Sequence, residues 1–261
     1  MPTAQQGSAT LDTRFIHLGS EIPVTDFYKT LFAAFCRSAG ATLDSVLKSF
    51  SGSESVMLGG MGLAAGDSEL IQIVDVALAD AARRAGEWLV CRLGCTLCCH
   101  GAFAISELDA LRLRAGMELL RGAHPDLAAE IERRARGWIA EHGAEFPGDA
   151  VTGLLGDSER ERERFEEFAN ETACPALDQA TGRCDVYAWR PMTCRVFGPP
   201  IRMEAGSGAD DVLGHCVLCF VGATEHEVAA CELAVPHEME ARLLDKLGGQ
   251  SETVVAFALL R

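Results

Sequence analysis

Apolar residues recur along this chain mainly at the helical period. Phe27, Leu31, Phe32 and Phe35 fall three and four apart and predict a helix with Cys36 on or beside its apolar face. Leu70, Ile71, Val74, Leu78 and Ala81 repeat that period, predicting a long amphipathic helix from Ser68 to Leu89 that runs straight into Cys91. Ser106 stands where it can cap a helix carrying Leu108, Leu111, Ala115 and Leu119. Pro125 suits the first turn of another, with Leu127, Ile131, Ala135, Trp138 and Ile139 on one stripe. From Ser158 to Phe165, Glu and Arg alternate, the pattern of a solvated, ion-paired helix face.

The breaks in this pattern are equally informative. Gly, Ser and Ala dominate from Ser51 to Gly66, which reads as a flexible connection. Gly60, Gly62 and Gly66 faintly suggest a nucleotide-binding loop, but only the short Val56-Met57-Leu58 precedes them, so the linker reading stands. The chain therefore divides into an N-terminal helix and linker over residues 1–66 and a second region over 67–261. Short extended pieces around Thr181-Gly182 have the composition of a hairpin, and Thr253 to Phe257 fits either a strand or a short buried helix. The fold expected is mainly α with a short β-hairpin, an α+β arrangement.

With 48% hydrophobic residues the chain can bury a real core. Its formal net charge of −15, with no basic block, opposes binding to nucleic acid or to membrane surfaces. The first residues carry no basic and apolar leader, and no stretch is long enough in apolar residues to span a bilayer, so a cytoplasmic location is expected. In a reducing compartment eleven cysteines mean metal ligation or catalysis more readily than disulfides. Ten of the eleven lie between Cys91 and Cys231, and that clustering is the strongest chemical signal in the chain.

The segment Cys91-Arg-Leu-Gly-Cys95-Thr-Leu-Cys98-Cys99-His100 spaces its cysteines by three, two and no residues. As a helix it would gather Cys91, Cys95, Cys98 and Cys99 on one face; as a turn it would make a two-residue knuckle of Cys95 and Cys98. Either way several thiolates reach one centre, and thiolate is the donor that zinc and iron-sulfur clusters prefer. Cys98 and Cys99 are adjacent, so their side chains should diverge and serve different metals or different edges of a cluster. Cys174, Cys184, Cys194 and Cys216 bring the ligand candidates to eight, enough for two four-thiolate sites. Cys219, two residues beyond Cys216, is an additional or substitute ligand, and His100 adjoins the first group. Cys36 and Cys231 read as small buried hydrophobes.

Cys91-x3-Cys95-x2-Cys98-Cys99, followed by Cys174-Pro-Ala-Leu and then by Gly182-Arg-Cys184-Asp-Val-Tyr187-Ala-Trp-Arg190-Pro191-Met-Thr-Cys194-Arg195-Val-Phe197, resembles the YkgJ-like cysteine-cluster family, proposed to chelate zinc or iron. The likeness covers roughly residues 85–220, and its first spacing is three where the family usually has two. It implies that all eight named cysteines are ligand candidates and that the domain is a compact one organised around cysteine-bound metal. It also brings in the flagellin lysine N-methylases, which share the clustered cysteines. Around the ligands, Arg190 and Arg195 could donate hydrogen bonds or charge to sulfur, and Tyr187 could add a hydroxyl. The alternative for Arg195 is a pairing with a surface carboxylate.

Two function classes follow. In one the chain holds an iron-sulfur cluster used in redox chemistry or in modification of a protein or small molecule; the adjacent pair and the number of thiols favour it. In the other the metal is zinc, closed and tetrahedral, in a structural or interaction module without turnover. The triplet Cys91-x3-Cys95-x2-Cys98 also fits radical S-adenosylmethionine enzymes, though those follow a strand of a partial barrel, whereas helices are expected on both sides here.

Overall fold

The computed structural model describes residues 64–91, 94–203, 212–249 and 251–261. The expected N-terminal helix at Phe27–Phe35, Cys36 and most of the expected linker lie outside these residues. The described elements in chain order are α1 (Asp67–Ala85), β1 (Ile105–Ser106), α2 (Glu107–Ala123), α3 (Pro125–His142), β2 (Gly148–Asp149), β3 (Leu154–Leu155) and α4 (Glu159–Glu167). They continue with β4 (Leu177–Asp178), β5 (Arg183–Cys184), α5 (Met192–Val196), β6 (Ile201–Met203), β7 (Val212–Gly214), α6 (Glu225–Ala230), α7 (His237–Leu247), β8 (Glu252–Thr253) and α8 (Val255–Ala258). The fold is mainly helical with small antiparallel sheets, the α+β arrangement expected from the sequence.

The α2–α3 hairpin is the centre of the molecule. Ser106 caps α2 by accepting from the Asp109 N–H at 3.2 Å, and Pro125 occupies the first turn of α3. Leu113, Met117, Leu120, Ile131 and Ala135 pack between the two helices, with Val255, Ala258 and Leu259 closing the far side. Burying each of the larger of these side chains contributes about 1.5–3 kcal/mol. Leu119, placed inward by the periodicity, is 37% exposed, because α2 is buried on the face of Ala110, Leu113 and Met117 instead. The Thr253–Phe257 ambiguity resolves as both: β8 pairs with β1 and β3 through Thr253, and a buried helical turn follows at once.

α1 packs on α5 and α7 through Leu70, Val74, Met192, Val196 and Leu243. The beginning of α1 is tied to α2 by a buried ionic triad. The Arg112 guanidinium donates to Asp67 at 2.6 Å and to Asp109 at 2.5 Å, and all three side chains are almost wholly buried. α4 is the solvated charged helix expected, capped reciprocally by Ser158 and Glu161. Among the described residues no helix is long and apolar enough to cross a membrane. The described strands are two or three residues long and pair antiparallel, so there is no parallel barrel of the radical S-adenosylmethionine kind among them.

Candidate metal centre

The first cysteine segment is reached by a broken path. α1 ends at Ala85, four residues before the sequence expectation, because Gly86 at φ +50° turns the chain into the short 3-10 turn Gly86–Trp88. Cys91 therefore follows an extended Leu89, and the segment never becomes a helix carrying all four cysteines. Of the two geometries open in the sequence, the turn forms. Gly94 adopts φ +91°, and Leu97–Cys99 make a 3-10 turn in which the Cys99 and His100 N–H groups donate to Thr96 and Leu97. Cys98 and Cys99 do not diverge: their sulfurs stand 4.0 Å apart. In a 3-10 turn side-chain rotation about χ1 can swing two neighbouring thiols to one seam, which the idealised strand and helix of the sequence argument did not allow. His100 has its Nδ1 held 2.9 Å from the Thr96 carbonyl.

The second segment is laid against this turn by backbone bonds. His100 and Ala173 form an antiparallel bridge, Gly101 donates to Thr172 at 2.9 Å, and Cys174 donates to the Cys99 carbonyl at 2.7 Å. The hairpin β4–β5 then sets Cys184 opposite Leu177, while the Leu177 N–H donates back to Cys174. Gly182 supplies the positive φ of +67° at the turn. Beyond Tyr187–Trp189, Pro191 precedes α5, which carries Cys194, and Asp109 of α2 accepts from the Met192 N–H at 2.8 Å. The third segment follows β7: Cys216 is fully buried, Cys219 donates to its carbonyl at 2.9 Å, and Phe220 donates to Trp88 at 3.1 Å.

Ten cysteines are described, and none forms a disulfide. Cys91, Cys95, Cys216, Cys219 and Cys231 belong to an apolar cluster with Ala85, Leu89 and Phe220. Cys174 and Cys184 instead pack on the α2–α3 core. Burial, together with neighbouring Cys95, Cys98 and Cys216, pushes the Cys91 thiol well above its ordinary range. Burial likewise raises Cys174 to about 11, Cys184 to about 12 and Cys216 to about 12. Cys194 is driven up by burial and by Cys174, Cys184 and Cys98. Cys98 alone goes down, because Cys99 is its hydrogen-bond partner, and Cys99 rises correspondingly. Cys231 is raised by burial, and its charged neighbours are Arg84 and Glu227.

Arg190 is buried with its guanidinium 4.0 Å above the Tyr187 ring, donating to the Tyr187 carbonyl at 2.9 Å. Its charge favours the thiolate at Cys98 and at Cys184. Arg195 places Nη1 on Asp75 at 2.7 Å and Nη2 on the Ala188 carbonyl at 3.0 Å. The supporting roles of Asp75 and Asp109 escaped the sequence reading. Their one visible signal was a carboxylate set among the apolar positions of a helix.

A soft cation suits this donor set by its chemistry: many thiols, little competing nitrogen, and protons that a positive charge would displace. Among the described residues no three His, Cys, Asp or Glu side chains are already drawn together closely enough to close on one ion. The thiols stand as neighbours, with the Cys98–Cys99 separation close to the edge of about 3.8 Å expected for tetrahedral sulfur ligands at about 2.3 Å.

Residues 90–206 match the model of the CxxCxxCC domain, which is proposed to chelate zinc or iron. Cys216 and Cys219 lie beyond the matched stretch. No curated protein and no solved structure matches the chain.

Proposed function

We propose, for a chain whose residues 90–206 match the CxxCxxCC domain model, that Cys91, Cys95, Cys98, Cys99, Cys174, Cys184, Cys194 and Cys216 hold an iron-sulfur centre serving redox or modification chemistry on a protein or small molecule. The observation that carries this reading is the assembly of free thiols from separated chain segments around one half-buried turn, Leu97–Cys99. Burial first, and the neighbouring thiols after it, raise the proton affinity at Cys91 and Cys194, so ligation here needs a cation strong enough to displace those protons. Bound iron-sulfur would accept their negative charge and supply one-electron chemistry. Arg190 would balance charge beside Cys98 and Cys184, with its guanidinium held over the Tyr187 ring. Cys219 is a reserve donor in the same apolar cluster as Cys216.

A second reading is a closed zinc module without turnover, favoured by the 4.0 Å sulfur separation at Cys98–Cys99, close to that of ligands on one tetrahedral ion. Anaerobic purification followed by metal and acid-labile sulfide analysis and a visible spectrum separates the two. Iron with sulfide and broad visible absorption is expected. Zinc at full occupancy with a featureless visible spectrum would replace the first reading with the second.

A further inference from the structure

We infer that Cys98 and Cys99 are an oxidation site for hydrogen peroxide, which joins their sulfurs in a disulfide between adjacent residues that a small thiol reverses. The consequence for the site rests on the metal-holding reading above, because the disulfide withdraws two thiolate donors from it; the reactivity of the pair does not.

The two sulfurs stand 4.0 Å apart, about twice the length of a disulfide bond. The backbone beneath them is clamped on both sides. The Cys99 N–H donates to Thr96 at 2.8 Å, the Cys99 carbonyl accepts from Cys174 at 2.7 Å, and the His100 N–H donates to Leu97 at 3.2 Å. His100 also keeps its Nδ1 2.9 Å from the Thr96 carbonyl and bridges to Ala173. Side-chain rotation is the freedom this leaves to the two thiols, and rotation is what closes the gap between them. Both are half-buried and so within reach of a molecule as small as a peroxide, whereas Cys216, Cys219 and Cys231 are buried. Adjacent α-carbons lie about 3.8 Å apart, less than the span of about 4.4–6.8 Å that a disulfide usually bridges. The ring closed here is therefore strained, and strained disulfides are the readily reduced ones, which suits a reversible modification better than a structural staple.

The chemistry balances with the peroxide as the only oxidant. One sulfur attacks it as the thiolate; the O–O bond breaks, hydroxide leaves, and a sulfenic acid remains. The second sulfur attacks that sulfenic sulfur, the S–O bond breaks, and water leaves with the proton of the second thiol. The proton of the first thiol neutralises the hydroxide. Two thiols are oxidised to one disulfide, and one peroxide is reduced to two waters.

The full-length protein, stripped of metal under anaerobic reducing conditions, is treated with one equivalent of hydrogen peroxide until the peroxide is consumed, then alkylated, digested with trypsin and mapped by mass spectrometry. The peptide over residues 93–112, which also holds Cys95, should carry a single alkyl group, on Cys95, and should lack two hydrogens at Cys98 and Cys99. Dithiothreitol before alkylation should restore all three alkyl groups. Zn2+ uptake, measured on the same samples, should fall after peroxide and return after dithiothreitol. In Cys99→Ser the sulfenic acid should persist on Cys98 and be trapped by dimedone. Cys98 and Cys99 both still alkylated once the peroxide is gone, or Cys98 joined to Cys95 instead, would overturn the inference. The link formed in a protein that takes up no zinc even when reduced would uphold the pair and remove the metal-holding reading. Because the wild-type map needs no substitution, the outcome does not depend on a variant folding.

Discussion

Asp109 accepts a hydrogen bond from the backbone N–H of Met192 at 2.8 Å, and so the first turn of α2 holds the first turn of the helix that presents Cys194. The same carboxylate pairs with Arg112, which also grips Asp67 at the start of α1. A single buried acid thus joins three helices behind the thiols.

Asp109→Ala should lower folding stability by about 3 kcal/mol, because it leaves the Met192 N–H and the Nη1 arm of the buried Arg112 without an acceptor, Asp67 keeping the rest of that guanidinium. Asp109→Asn keeps an acceptor for Met192 and should cost less. Urea denaturation of metal-loaded protein, with metal content measured on the same samples, checks this. Equal stability of Asp109→Ala and wild type would refute the anchoring role.

Gly116→Ala should be destabilising by about 1–3 kcal/mol, since an added Cβ would lie 2.4 Å from the Trp189 indole. Trp189 ends the turn that leads into Arg190, so the strain is expected to reach the cysteine region. A shift in tryptophan emission together with a lower melting temperature is the expected signature.

Cys99→Ser and Cys194→Ser should each reduce both bound metal and soluble yield, because metal binding would contribute much of the folding free energy here. Cys231→Ser should retain its metal, as Cys231 answers electrostatically to Arg84 and Glu227. Metal analysis per folded chain decides it, and undiminished metal in both of the first two variants would remove these residues from the ligand set.

Arg190→Ala should weaken metal binding about tenfold to a hundredfold, through loss of the charge beside Cys98 and Cys184. Arg190→Lys should recover part of this loss, since an ammonium keeps the charge but not the guanidinium's contact with the Tyr187 ring. Competition against a chromophoric chelator gives both numbers.

The pH dependence should have opposite signs with and without metal. In the metal-free fold, Cys174 at about 11 and Cys184 and Cys216 at about 12 hold their protons more tightly than an ordinary thiol at 9.0. Their contribution to stability is complete below 9.0 and is lost as pH climbs through the folded values. With metal, each ligating thiol must release its proton, so the loaded form weakens as pH falls. Melting temperatures across pH, with and without chelator, should therefore diverge in slope. Parallel slopes would contradict proton displacement at these thiols.

The sequence by itself determined which residues could do chemistry and most of the helices that carry them. Period-3.6 stripes, the Ser106 cap and Pro125 placed α2 and α3, and the clustering of cysteines after Cys91 singled out the thiols, because helix caps and cysteine spacing are local properties. Three things depended on the tertiary structure. Gly86 stopped α1 short of Cys91, and the packing of α2 turned Leu119 outward. The 3-10 turn at Leu97–Cys99 brought the Cys98 and Cys99 sulfurs together, against the divergence that a regular backbone would impose. The partners of Cys99 and Cys194, namely Cys174 through its backbone N–H and Asp109 through Met192, come from distant segments. Long-range pairings of this kind are set by how the hairpin and helices pack, and a single chain's local pattern carries no record of them.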